Sequence, residues 1–150
     1  FDVDRINGVH DALLQRAARL KGDAALGKRL TDTAQAVEEL RPKIVATKEG
    51  GAVTGEERIR EKTTQLYGNI LSYEGRPGDY QVARIDSLKK ELDDVQSEFD
   101  RLVTKDLATL NKSLTQKKLE PIELITRKSW DAANNDEGAG NPPGDRWERD

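Results

Sequence analysis

VARIDSLKKELDDVQSEFDRLVTKDLATLNKSL, residues Val82–Leu114, decides the fold. Its apolar residues Ile85, Leu88, Leu92, Val95, Phe99 and Leu102 are separated by three, four, three, four and three positions. This heptad seam requires a helix with one face against other helices. After Leu102 the seam passes to Val103, Leu107, Leu110 and Leu114; the step of four from Phe99 to Val103 is a stutter, which locally unwinds a supercoil. A helix from Asp79 to Lys117 would measure roughly 58 Å, against about 25–30 Å for the first and third helices. The long helix is therefore expected to overhang its neighbours unless they cover different parts of it.

Working outward, the expected architecture is all-α. It is an antiparallel bundle of about four helices with a long C-terminal helix, spanning residues 1–130, followed by an irregular acidic tail over 131–150. Helix one is expected from about Asp4 to Lys21, with Val3, Ile6, His10, Leu13, Ala17 and Leu20 on one face. Gly22 can take the left-handed conformation and Asp23 can cap the next helix, so a short connection joins antiparallel neighbours. Helix two carries Leu26, Leu30, Ala34, Val37, Leu40 and Ile44, with a bend at Pro42 and helix resuming to about Thr47. Helix three is expected to open on a Thr54–Glu57 capping box. It buries Ile59, Leu66, Ile70 and one of Tyr67 and Tyr73, with Gly68 either tolerated or admitting a close backbone. Glu74–Asp79 is a Gly-Pro turn in which Asp79 can cap the long helix. Beyond Pro121, Ile122, Leu124, Ile125 and Trp130 are spaced to fold back as an apolar clasp. The Asn, Asp, Gly and Pro that follow read as a flexible tail in which Trp147 is an odd anchor.

Composition narrows the function classes. A net charge of -3 with interspersed signs leaves no basic face, which disfavours nucleic acid and anionic membrane as partners. No apolar run approaches the roughly 20 residues of a membrane span. With no Cys, thiolate metal sites and Cys catalysis are excluded. Phe1 at the start and the absence of Met suggest a piece cut from a longer chain.

The search for chemistry yields bland readings. His10 is the only histidine, too few for a di-iron bundle or a usual zinc site, and sits on a helix seam. Glu91, Asp93, Asp94 and Glu98 alternate with Lys89, Lys90 and Arg101, as solvated ion-pairing residues do, rather than forming the facing pair a glycosidase needs. Gly75–Gly78 lacks the strand and Lys-Ser/Thr of a phosphate loop. Asn134–Gly138 is out of phase for a calcium loop. Asn111-Lys112-Ser113 matches a glycosylation triplet inside a helix. No catalytic, metal or cofactor-binding residue is expected. Tyr67, Tyr73, Tyr80 and Trp130 could form an aromatic binding patch around the Gly-Pro turn, with core packing as the default.

The run Leu66-Tyr67-Gly68-Asn69-Ile70-Leu71-Ser72-Tyr73-Glu74-Gly75-Arg76-Pro77-Gly78-Asp79-Tyr80-Gln81 resembles a recurring segment of large bacterial exported proteins. Phe99–Trp130, with Leu110-Asn111 and Leu119-Glu120-Pro121-Ile122, resembles it too. In those proteins the segment is the α-helical region after a sortilin-like β-propeller of BNR repeats, often labelled "glycosyl hydrolase". The family more often has Thr after the Arg-Pro, where Gly78 stands here. The resemblance implies a periplasmic or cell-surface setting and an accessory role, and it carries over no functional residue.

Two functional expectations follow. The first is a non-catalytic module that packs on the parent propeller or a cell-envelope protein. The second is a coiled-coil-like homodimer in which the overhanging Leu107, Leu110 and Leu114 pair with a second copy. A part in a glycan-acting enzyme is a remote third.

Overall fold

The computed structural model describes residues 1–20, 22–47, 56–72 and 74–135, all helix and connection, with no strand among them. The expected Thr54 cap, Tyr73 and Trp147 lie outside the described residues. Helix α1 is Asp2–Arg19, α2 Ala24–Glu38, α3 Arg41–Ile44 and α4 Ile59–Leu71. Helix α5, Asp79–Leu102, runs without a break through a π-helical segment, Val103–Leu107, into α6, Ala108–Gln116; together they form one long rod. Helix α7 is Arg127–Asn135.

The π segment stands at the stutter. From Phe99 to Leu107, both buried, is eight residues, about 80° more than two full α-turns. The wider i→i+5 turn absorbs the extra residue and returns Leu107, Leu110 and Leu114 to the buried side.

The remaining elements start and stop for local reasons. Gly22 has φ +81°, and the Asp23 carboxylate accepts the Leu26 N–H at 3.0 Å, as the short connection requires. Helix α2 ends four residues before Pro42, and α3 resumes for a single turn to Ile44 rather than to Thr47. Glu56–Arg58 are not helical, so α4 begins at Ile59, later than the Thr54–Glu57 pattern suggests. Glu61 sets that start. Its carboxylate accepts from the Arg58 N–H at 3.2 Å, from the Ala46 N–H at 3.1 Å and from Arg60 Nε at 3.0 Å. Asp79 is the first residue of α5 and not its cap. Gly78 is the cap, and the Gln81 side-chain carbonyl accepts its N–H at 2.9 Å.

Hydrogen bonds and ion pairs fix the directions. Gln96 donates to Asp2 at 3.1 Å and Arg5 to Asp100 at 3.4 Å, while Arg16 lies 3.7 Å from Glu120; α1 therefore runs with the rod. Asp23–Lys117 at 3.0 Å and Lys43–Glu98 at 2.6 Å set α2 and α3 against it. The short connection from Leu71 to Asp79 turns the rod back against α4, and Lys62–Glu91 at 3.4 Å places α4 nearer the rod's start. Helices α2 and α4 thus follow one another along the rod and cover different parts of it.

One core results. It joins Ile6, Val9 and Leu13 of α1 and the stripe Leu26–Leu30–Ala34–Val37 of α2 to Val95, Phe99, Leu107, Leu110 and Leu114 of the rod. Val9 belongs to this core although the three-four pattern of α1 passes it over. The rod's last turn closes with Lys118 at φ +59°, where the N–H groups of Lys118 and Leu119 reach the Thr115 and Leu114 carbonyls. The clasp forms as its spacing suggests. Ile122 is buried, and both amide atoms of Asn111 hold its backbone, at 2.8 Å to the N–H and 3.0 Å to the carbonyl. A Cβ on Gly8 would come within 3.0 Å of Ile125, so α1 admits the clasp at a residue without a side chain. Helix continues past Asp131 to Asn135, because Thr126 and Ser129 cap α7 reciprocally and Arg127 pairs with Asp131 at 3.0 Å.

Candidate interaction surface

The rod has two unlike halves. From Val95 onward it is covered by α1, α2 and the clasp. From Asp79 to Leu92 its helical neighbour is α4, and the two form a hairpin in which only Ile59, Gln81 and Leu88 are buried. Leu66 and Ile70 lie half-buried between the helices.

On one side the hairpin leaves four large apolar side chains in solvent: Tyr67 (63% exposed), Leu71 (66%), Val82 (48%) and Ile85 (45%). At about 100° per residue, Ile85 and Val82 lie roughly 60° and 120° round α5 from the buried Leu88. Tyr67 and Leu71, one turn apart, lie roughly 80° and 120° round α4 from the buried Ile59 in the same sense. Because the helices run in opposite directions, these positive angles fall on one common side. With the level taken from the Lys62–Glu91 pair, ideal helix geometry puts Tyr67 near Ile85 and Leu71 near Val82. The result is a two-rung apolar strip across the hairpin.

Tyr80, 75% exposed, points to the opposite side. There it borders an open cleft of about 510 Å³ with Asn69, Ser72, Arg76 and Gln81. Tyr67 and Tyr80 therefore do not share a surface. Trp130 is remote from both. Its Nε1–H donates to Asp4 at 2.6 Å, its ring meets Phe1 edge-on at 5.9 Å, and Arg127 lies over it at 5.4 Å. Phe1 and Phe99 flank Arg5, and Phe99 is about 28 Å along the rod from Tyr80. The tyrosines and Trp130 thus form no common patch, because Trp130 closes the clasp on α1.

Leu107, Leu110 and Leu114, the residues expected to pair with a second copy, are 4%, 1% and 0% exposed. Helices α1 and α2 and the clasp already occupy that seam, so the uncovered part of the rod is its beginning, around Val82 and Ile85. The signal for this end was in the sequence. Leu71 and Val82 are apolar positions that fall off the stripes of their helices.

The polar candidates have structural partners. Glu91 lies 3.4 Å from Lys62 and 3.9 Å from Arg84, and Glu98 pairs with Lys43. His10 is half-buried, with Nδ1 2.9 Å from Asp11. Asn111 of the glycosylation triplet is engaged by Ile122. Among the described residues no three His, Asp or Glu side chains gather as metal ligands, and no helix is long and apolar enough to cross a membrane.

Two carboxylates titrate low. The Leu26 N–H, and then Lys117, hold Asp23 below the ordinary aspartate range. Burial pushes Glu61 up, but its own N–H, Arg60 and the Ala46 and Arg58 N–H groups outweigh it and leave the carboxyl low. Both groups join segments of the fold.

No protein-family model matches this chain, and neither a curated protein nor a solved structure does.

Proposed function

We propose that the chain is a non-catalytic helical accessory module, a bundle built on α1, α2, α4 and the rod, that docks on another protein. The observation that carries this reading is the strip Tyr67–Leu71–Val82–Ile85. It is contiguous and apolar, and it sits on the half of the rod with the thinnest cover. Surfaces of this kind are used for protein contacts when other helices or sheets complete them. The resemblance of Leu66–Gln81 to the region after an exported BNR-repeat propeller supplies the partner class and the setting. The partner is the parent propeller or a cell-envelope protein, in the periplasm or at the cell surface.

A photo-crosslinking residue at position 85 tests the reading with the propeller supplied as a separate chain. Crosslinks from position 85, and none from a control at Lys112 on α6, support docking through the strip. Uncrosslinked chain at both positions, with Leu71→Asp leaving every pulldown unchanged, contradicts it. Glycan turnover by the isolated chain would instead favour a part in a glycan-acting enzyme.

A further inference from the structure

We infer that the strip's partner is a second copy of this chain, with two α4/α5 hairpins stacked face to face about a two-fold axis. This rests on the strip being a docking surface, as read above, and puts a second copy there in place of the propeller or envelope protein. A two-fold axis lying between the two faces and perpendicular to the helices brings Tyr67 of one copy over Leu71 of the other, and Ile85 over Val82. Large side chains then meet smaller ones, and each two-helix hairpin becomes half of a four-helix packing.

The area is of the right size. Given their exposures, the four side chains present roughly 400 Å² of mostly apolar surface, near the apolar share of the about 800 Å² per partner in a standard interface. The charges fit as well. Lys89 lies on the strip side of α5, about one turn beyond Ile85 and away from the hairpin's tip. The same axis carries it over the tip of the second copy, where Glu74 stands. Neither Lys89 nor Glu74 has an ion-pair partner among the described residues. The pairing is isologous, so it closes at two copies and does not propagate.

Sedimentation equilibrium of the full chain at about 5 and about 200 µM tests this, since those concentrations bracket a Kd of tens of micromolar. The expected mass rises from near 16.7 kDa toward twice that value. Ile85→Asp holds it at the monomer with an unchanged helical circular dichroism spectrum. Lys89→Glu weakens association about tenfold, and Lys89→Glu with Glu74→Lys restores it. A mass of 16.7 kDa at the higher concentration overturns the second copy as occupant. So does a dimer that survives both Ile85→Asp and Leu71→Asp. In either case the propeller crosslink from position 85 remains free to succeed or fail by itself.

Discussion

The two halves of one helix receive opposite treatment. Between Val95 and Leu114 the rod buries a side chain at nearly every seam position, against α1, α2 and the clasp. Between Asp79 and Leu92 the same three-four repeat continues, yet Ile85 is left 45% exposed and α4 buries only Ile59. Amphipathic patterning specifies that a face must be covered. What covers it is decided by non-local pairing, and here the second half is covered within the chain while the first presents a surface.

The contrast is broken most forcefully by truncation in the packed half. Leu114→Ala should cost about 2–5 kcal/mol, since the site is closed on all sides and cannot collapse readily. Leu71→Ala should stay within about 0.5 kcal/mol in dilute solution. Urea denaturation of the two variants provides the comparison, and equal losses would erase the distinction between the halves. Asn111→Ala comes next, at about 1–3 kcal/mol. It strips the Ile122 N–H and carbonyl of their partners and releases the clasp.

Gly68→Ala tests the hairpin in the opposite direction. Among the described residues no atom beyond its own turn of helix lies within 4 Å of where its Cβ would stand, which favours the tolerated-residue reading of this glycine over the close-approach one. The substitution should add about 0.5–1 kcal/mol through helix propensity, read as a higher melting temperature.

Acid acts on both halves through Asp23 and Glu61. Their folded-state pKa values lie below those of the unfolded chain. Their contribution is therefore complete above the ordinary carboxylate range, about pH 4, and is lost as the pH falls through their lower folded-state values. Urea midpoints measured downward from pH 5 should decline. Glu61→Gln should flatten part of that decline and loosen α4 selectively. A midpoint that rises with acid would contradict the assignment.

Much of the packed half was legible. Every residue of the stripe Leu26, Leu30, Ala34, Val37, Leu40 and Ile44 is buried. The stutter at Phe99–Val103 marks the π segment, and Gly22 with Asp23 makes the connection they suggest. The hairpin was less legible, because distant groups set its boundaries. Glu61 is fixed as the organiser of α4 by the N–H of Ala46, fifteen residues earlier, which no local capping pattern reveals. Composition likewise missed α7, whose Thr126–Ser129 cap and Trp130–Asp4 bond outweigh the polar sequence around them. The three-four repeat is continuous along the rod and does not mark its open end; only the off-stripe apolar residues Leu71 and Val82 do.

Native-state hydrogen exchange in dilute protein tests the division between the halves most directly. Amides of residues 107–116 should exchange only through global unfolding, whereas those of residues 84–91 and of α4 should exchange through openings of distinctly lower free energy. Equal protection along the whole rod would contradict the account.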